Sequence, residues 1–186
     1  MLARFFLIIA AMCFLVAPAF AQDQAMDANW GRVFVEVLPT VAVYYSGAEM
    51  NLGAIDALDE VCATLMFTVH ANGQDIAMRC GASKLFKDDI PTSRYWIPVN
   101  PEHLARISAA YGQFHEGAPV NELVHTVGPY GDVSVYHTDW FNFGSGDGGT
   151  WSYDVEVFIC WLGDDAELFQ GDYSGGVVLW AMYVDI

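Results

Sequence analysis

From Trp151 to Trp161 every second residue is large and apolar: Trp151, Tyr153, Val155, Val157, Ile159 and Trp161. Ser152, Asp154 and Glu156 stand between them. A two-residue period puts the apolar set on one face of a strand and the polar set on the other. A helix repeats every 3.6 residues and would scatter both sets around its axis. The chain must therefore build a sheet with one buried and one wet face.

Other segments extend the β reading. Arg32 to Val37 alternates and is rich in valine, Pro39 interrupts it, and Thr40 to Tyr45 reads as a second extended piece. Asp132 to Phe143 reads as a strand. Val177 to Ile186 is apolar on both faces, which predicts a central strand covered on both sides. Asn72-Gly73 is a strong hairpin signal and predicts a hairpin over Thr64 to Cys80, with Ala71 facing Gln74 and Leu65 facing Cys80. Two segments carry helical spacing instead. Asn51 can cap a helix from Leu52 to about Val61. Asn100-Pro101 opens a second, with Leu104, Ile107, Ala110, Tyr111 and Phe114 along one face. The expected fold is α+β: a single domain, mainly antiparallel sheet with one or two helices.

The first residues set the compartment. Met1-Leu2-Ala3-Arg4 carries one positive charge, Phe5 to Val16 is apolar, and Ala19-Phe20-Ala21 has the spacing of a cleavage site. Residues 1–21 are thus expected to be a signal peptide, cut after Ala21, leaving 22–186 as one acidic domain. The apolar run is shorter than the roughly 20 residues a spanning helix needs, and Pro18 breaks it. The expected location is the periplasm or the medium. No membrane span is expected after cleavage.

The precursor has a formal charge of -16, and loss of Arg4 takes it to -17. From Ile107 to Ile186 there is no Lys or Arg, but there are twelve carboxylates. Nucleic acid is excluded as a partner, because phosphate recognition needs clustered Lys and Arg. A cationic protein, peptide or ligand fits such a surface. The acids singled out are Asp139, Asp147, Asp164, Asp165, Glu167 and Asp172. Trp140 joins them as an aromatic on a mixed strand face.

Cys62, Cys80 and Cys160 remain in the mature chain. An exported protein can hold a disulfide. Cys62 with Cys80 closes the shortest loop and is the expected pair. Cys160, inside Phe158-Ile159-Cys160-Trp161-Leu162, reads as a buried small apolar residue. No CxxC is present, so no zinc knuckle or thioredoxin-type motif is expected.

Catalytic motifs are thin. Gly171-Asp172-Tyr173-Ser174-Gly175-Gly176 resembles the nucleophile motif of trypsin-like serine proteases, over these six residues alone. Tyr173 interrupts that motif, and the upstream His-Cys pair of the family is missing, so a glycine turn is the expected structure. His115, Glu116, Glu122, His125, His137 and Asp139 offer metal-type ligands without a fixed spacing. No cofactor is expected. Calcium or a transition metal has no motif to hold it, neither an EF-hand nor a HExxH. The expected function is an exported, non-catalytic binding protein that uses its acidic surface against a cationic protein, peptide or ligand. The alternative is an exported hydrolase with a His/carboxylate site, with or without a metal.

Overall fold

The computed structural model describes residues 40–184, apart from Ser46, Ile55, Ala57, Gln74 and the segments 127–130, 146–149 and 164–168. The expected signal peptide, the expected strand from Arg32 to Val37 and four of the candidate acids, Asp147, Asp164, Asp165 and Glu167, lie outside the described residues.

The domain is all-β, which corrects the α+β expectation. Among the described residues thirteen strands form three antiparallel sheets. The first sheet runs in the order β1 (Val41–Tyr45), β2 (Glu60–Ala71), β11 (Trp151–Leu162), β6 (Ala105–Ser108) and β7 (Phe114–Gly117). The second is centred on β3 (Asp75–Ser83). One edge of β3 takes β13 (Val177–Tyr183), and the other takes β10 (Phe141–Gly144) and then β9 (Asp132–His137), which carries β8 (Asn121–Thr126). The third is small: β12 (Tyr173–Ser174), β4 (Leu85–Lys87) and β5 (Trp96–Ile97).

The spine of the first sheet is the pairing of β2 with β11 along their whole length, from Trp151 opposite Ala71 to Leu162 opposite Glu60. Their inward stripes are Val61, Ala63, Phe67 and Val69 on β2, and Val155, Val157, Ile159 and Trp161 on β11, all buried. Ile76, Met78, Cys80 and Ala82 of β3 and Leu179 of β13 join them in one continuous buried cluster. Two sheets thus share one core, as in a β-sandwich. Each large side chain in it contributes about 1.5–3 kcal/mol by leaving water.

Neither predicted helix forms. The only helical turn among the described residues is the 3-10 turn Ala110–Gly112, with Tyr111 at φ 60°. In the second segment the two-residue period wins. Ala105 and Ile107 are fully buried on β6, while Leu104 and Phe114, which a helix would have buried with Ile107, are 46% and 58% exposed. In the first segment Leu58 is exposed and Val61 already belongs to β2.

The predicted hairpin does not form either. Both edges of β2 are taken by β1 and β11, and both edges of β3 by strands of the second sheet, so the two strands cannot pair. The Asn72-Gly73 turn instead carries the chain from one sheet to the other. Asn72 Oδ1 accepts from the Thr40 N–H at 2.7 Å, and the Asn72 N–H donates to the Thr40 carbonyl at 3.2 Å. β13 lies beside β3 with most of its residues only partly buried, rather than as a covered central strand.

That separation overturns the expected disulfide. Cys62 is bonded to Cys160, 98 residues away, and Cys80 is a free thiol buried on the inner face of β3. Cys62 and Cys160 stand directly opposite each other on β2 and β11. Cys160 turns its carbonyl the other way, to the Asn100 N–H at 2.9 Å. This is the arrangement of a non-hydrogen-bonded cross-strand pair, in which side chains come closest.

Candidate functional site

The outer face of the first sheet carries the polar halves of its strands. Register fixes their neighbours: Glu116 of β7 faces Arg106 of β6, which faces Phe158 of β11, and Ser108 of β6 faces Glu156 of β11. Glu60, Glu116, Asp154 and Glu156 are all exposed here. Arg106 is the only Lys or Arg among the described strand residues of this sheet, and its guanidinium lies 5.3 Å from the Phe158 ring centroid. Exposed apolar side chains are interleaved with the acids: Tyr44, Met66 and Phe114. Thr68 donates to Asp154 at 2.8 Å and Ser152 meets His70 at 2.8 Å, so the β2–β11 seam is laced by side-chain hydrogen bonds.

One end of this face opens into a cleft of about 520 Å³, lined by Asn100, Glu102, His103, Arg106, Glu116 and Phe158 among others. The Pro98–His103 segment forms its rim because Val99 bridges to Trp161 of β11. Asn100 donates from its side chain to Glu60 at 2.6 Å, and its own Oδ1 accepts the Glu102 N–H at 2.9 Å. His103 Nδ1 lies 2.9 Å from the same Glu60 oxygen, and its ring packs on Phe158. Glu60, Cys62, His103 and Cys160 each present one ligand-type atom, and these atoms lie within 4.8 Å of one another. It is the only such group of three or more among the described residues. No spacing in the sequence points to it. Glu60 and Cys62 share a face because they are two apart on a strand, but His103 and Cys160 join them only through the β2–β11 register and the rim segment.

The predicted site residues are distributed differently. Asp139 and Trp140 follow β9 and are exposed. Asp139 accepts from Asn121 at 3.0 Å. Trp140 lies against Arg79, whose guanidinium carbon is 4.7 Å from its ring centroid and 4.7 Å from that of Trp180. The aromatic singled out as a partner contact thus already receives a cation from its own chain. His137 is seated beside them. Its Nδ1 donates to the Thr138 carbonyl at 2.7 Å, which leaves Nε2 to accept from Arg79 at 3.4 Å. Asp172 is exposed beside the third sheet, and its carbonyl accepts the Asp88 N–H at 2.9 Å.

The other histidines are held by aromatics rather than by carboxylates. His115 stacks on Phe141 and meets Phe143 edge-on, and His125 lies edge-on to Trp180. None of His115, Glu122, His125, His137 and Asp139 belongs to the four-ligand group. In the protease-like segment Tyr173-Ser174 is the short strand β12, and the Ser174 hydroxyl donates to the Asp89 carboxylate. The serine is bonded directly to the acid, so this pair is not the serine–histidine–acid arrangement of the protease motif.

No protein-family model matches this chain, and neither does any curated protein. Among the described residues no helix is long and apolar enough to cross a membrane.

Proposed function

We propose that this is an exported, non-catalytic binding domain whose outer first-sheet face receives a cationic protein or peptide. One observation carries the proposal. Four exposed carboxylates, Glu60, Glu116, Asp154 and Glu156, occupy one sheet face with a single arginine among them and apolar side chains between them. A rigid sheet holds these charges at fixed spacing, so a basic partner meets them without ordering them first. The exposed Phe114, Tyr44 and Met66 add the apolar contact that fixes register, while the charges steer encounter. The disulfide that crosses this face, and the signal-like first residues, are compatible with work in an oxidising compartment.

This reading uses the β2–β11–β6–β7 face rather than the candidates at Asp139, Trp140 and Asp172. Titrating the mature protein with a lysine- and arginine-rich peptide across a salt series tests it. Affinity should fall steeply as salt rises, because exposed charges are screened beyond about 8 Å at physiological ionic strength. Binding that ignores salt, or no binding to basic peptides at all, removes the reading.

A further inference from the structure

We propose that reduction of the Cys62–Cys160 disulfide creates a zinc site made of Cys62, Cys160, His103 and Glu60. The proposal stands apart from partner binding and rests on the convergence of these four side chains. Two sulfurs, an imidazole nitrogen and a carboxylate oxygen already lie within 4.8 Å of one another. They are the donor set that zinc takes in four-coordinate sites, with Zn–S near 2.3 Å and Zn–N or Zn–O near 2.0–2.2 Å. Thiolate and imidazole together select zinc over calcium or magnesium, which prefer oxygen alone.

The oxidised protein lacks this site because a disulfide sulfur has no thiolate charge to give a metal. Reduction supplies it. A dithiol attacks the partly exposed Cys62 sulfur, the S–S bond breaks, and Cys160 leaves as thiolate. The second thiol of the reductant then attacks the mixed disulfide and releases Cys62. The reductant ends as its own disulfide, and the protein gains two electrons and two protons as two thiols. Zinc binding displaces those two thiol protons to solvent. At the other half of the site zinc takes the place of the hydrogen that joins His103 Nδ1 to Glu60 at 2.9 Å, and that hydrogen moves to the imidazole's other nitrogen.

The surroundings suit a second role as metal support. Asn100 donates to Glu60 at 2.6 Å and holds the carboxylate in place, and Phe158 backs the His103 ring. Such outer partners fix the orientation of ligands. Cys80 does not compete. It is fully buried on the inner face of β3, and burial pushes its thiol up to about 12. The site would let the sheet's outer face report the redox state of its compartment by taking up or releasing a metal.

The test uses the full mature chain carrying Cys80→Ala, zinc alone as the probe, and a phosphine reductant that introduces no competing thiol. Native mass spectrometry and a zinc-sensitive dye should show no stoichiometric zinc on the oxidised protein and one zinc per chain after reduction. Two protons should be released per zinc. Cobalt in place of zinc should give a thiolate-to-cobalt charge-transfer band. His103→Ala keeps the disulfide, so it folds oxidised like the parent, and after reduction it should bind zinc at least about tenfold more weakly. If reduction alone unfolds the chain, added zinc should restore its β-sheet circular dichroism. Equal zinc on oxidised and reduced protein, no zinc after reduction, failure of zinc to refold a reduced chain, or undiminished binding by His103→Ala would each overturn the proposal.

Discussion

Arg79 and Trp180 face each other across β3 and β13, with the guanidinium carbon 4.7 Å from the indole centroid and the same distance from Trp140. The Arg79 Nε is buried without a hydrogen-bond partner, and burial lowers the guanidinium's pKa. The two rings thus stand in for water around this cation. Cation–π contacts are worth about 0.5–1 kcal/mol when exposed and about 2 when desolvated. Arg79→Ala should lower stability by about 1–3 kcal/mol in urea unfolding and change tryptophan fluorescence. Arg79→Lys should recover only part of this, because a lysine lacks the planar group that stacks on both rings. A neutral Arg79→Ala would show that the cluster is ornamental to the fold.

The disulfide prediction follows from loop length. Closing 98 residues between Cys62 and Cys160 removes about 4–5 kcal/mol of chain entropy from the unfolded state. Cys62→Ala/Cys160→Ala should therefore lower the unfolding temperature by on the order of 10 °C. Peptide mapping of the oxidised protein should find the Cys62–Cys160 link and free Cys80. A Cys62–Cys80 link would contradict the β2–β11 register.

Stability should fall in alkali. The Cys80 thiol is raised from 9.0 to about 12, chiefly by burial. Its folded form keeps a proton that the unfolded chain gives up, so the contribution is whole below about pH 9 and is lost as pH rises towards 12. Burial also raises the phenols of Tyr136 and Tyr173 and adds to the same trend. Urea midpoints measured from neutral pH upward should drop over this window, and Cys80→Ala should flatten the drop. In the native state at neutral pH Cys80 should resist thiol reagents until the chain unfolds.

Gly81 tests the packing of the second sheet. A Cβ there would lie 2.7 Å from the Tyr136 carbonyl oxygen and 2.9 Å from the His137 Cβ. Backbone cannot yield as a flexible side chain can. Gly81→Ala should cost about 1–3 kcal/mol in urea unfolding and disturb the β3–β9 pairing. An Ala variant as stable as the parent would mean that β9 has room to shift.

The strands with the clearest alternation were legible in the sequence. Trp151 to Val157 is covered and wet by turns, as its period requires. The helical expectation fails because short apolar runs fit two periods. Ala105 and Ile107 satisfy a helical face on paper, but β11 offers them a paired edge and a core, and burial decides. The hairpin expectation fails because a turn dipeptide marks where the chain turns, not which strand it pairs with. Asn72-Gly73 joins β2 to β3, which lie in different sheets. The disulfide followed that error, since loop length favours Cys80 while only the register brings Cys160 opposite Cys62. The acidic composition was plain. Which acids share a face was not, because Glu60, Glu116 and Asp154 fall on one face only once β2, β11, β6 and β7 are aligned.

The account's central claim is that this aligned face binds. The most direct measurement is calorimetric titration of one basic peptide into the parent and into a Glu116→Gln/Asp154→Asn/Glu156→Gln variant, at low and high salt. The variant removes charge and keeps shape, and these residues are exposed, so its fold should be unchanged. The account predicts that the variant binds at least about tenfold more weakly at low salt and that its affinity depends far less on salt than the parent's. Equal affinity and equal salt dependence in the two proteins would contradict it.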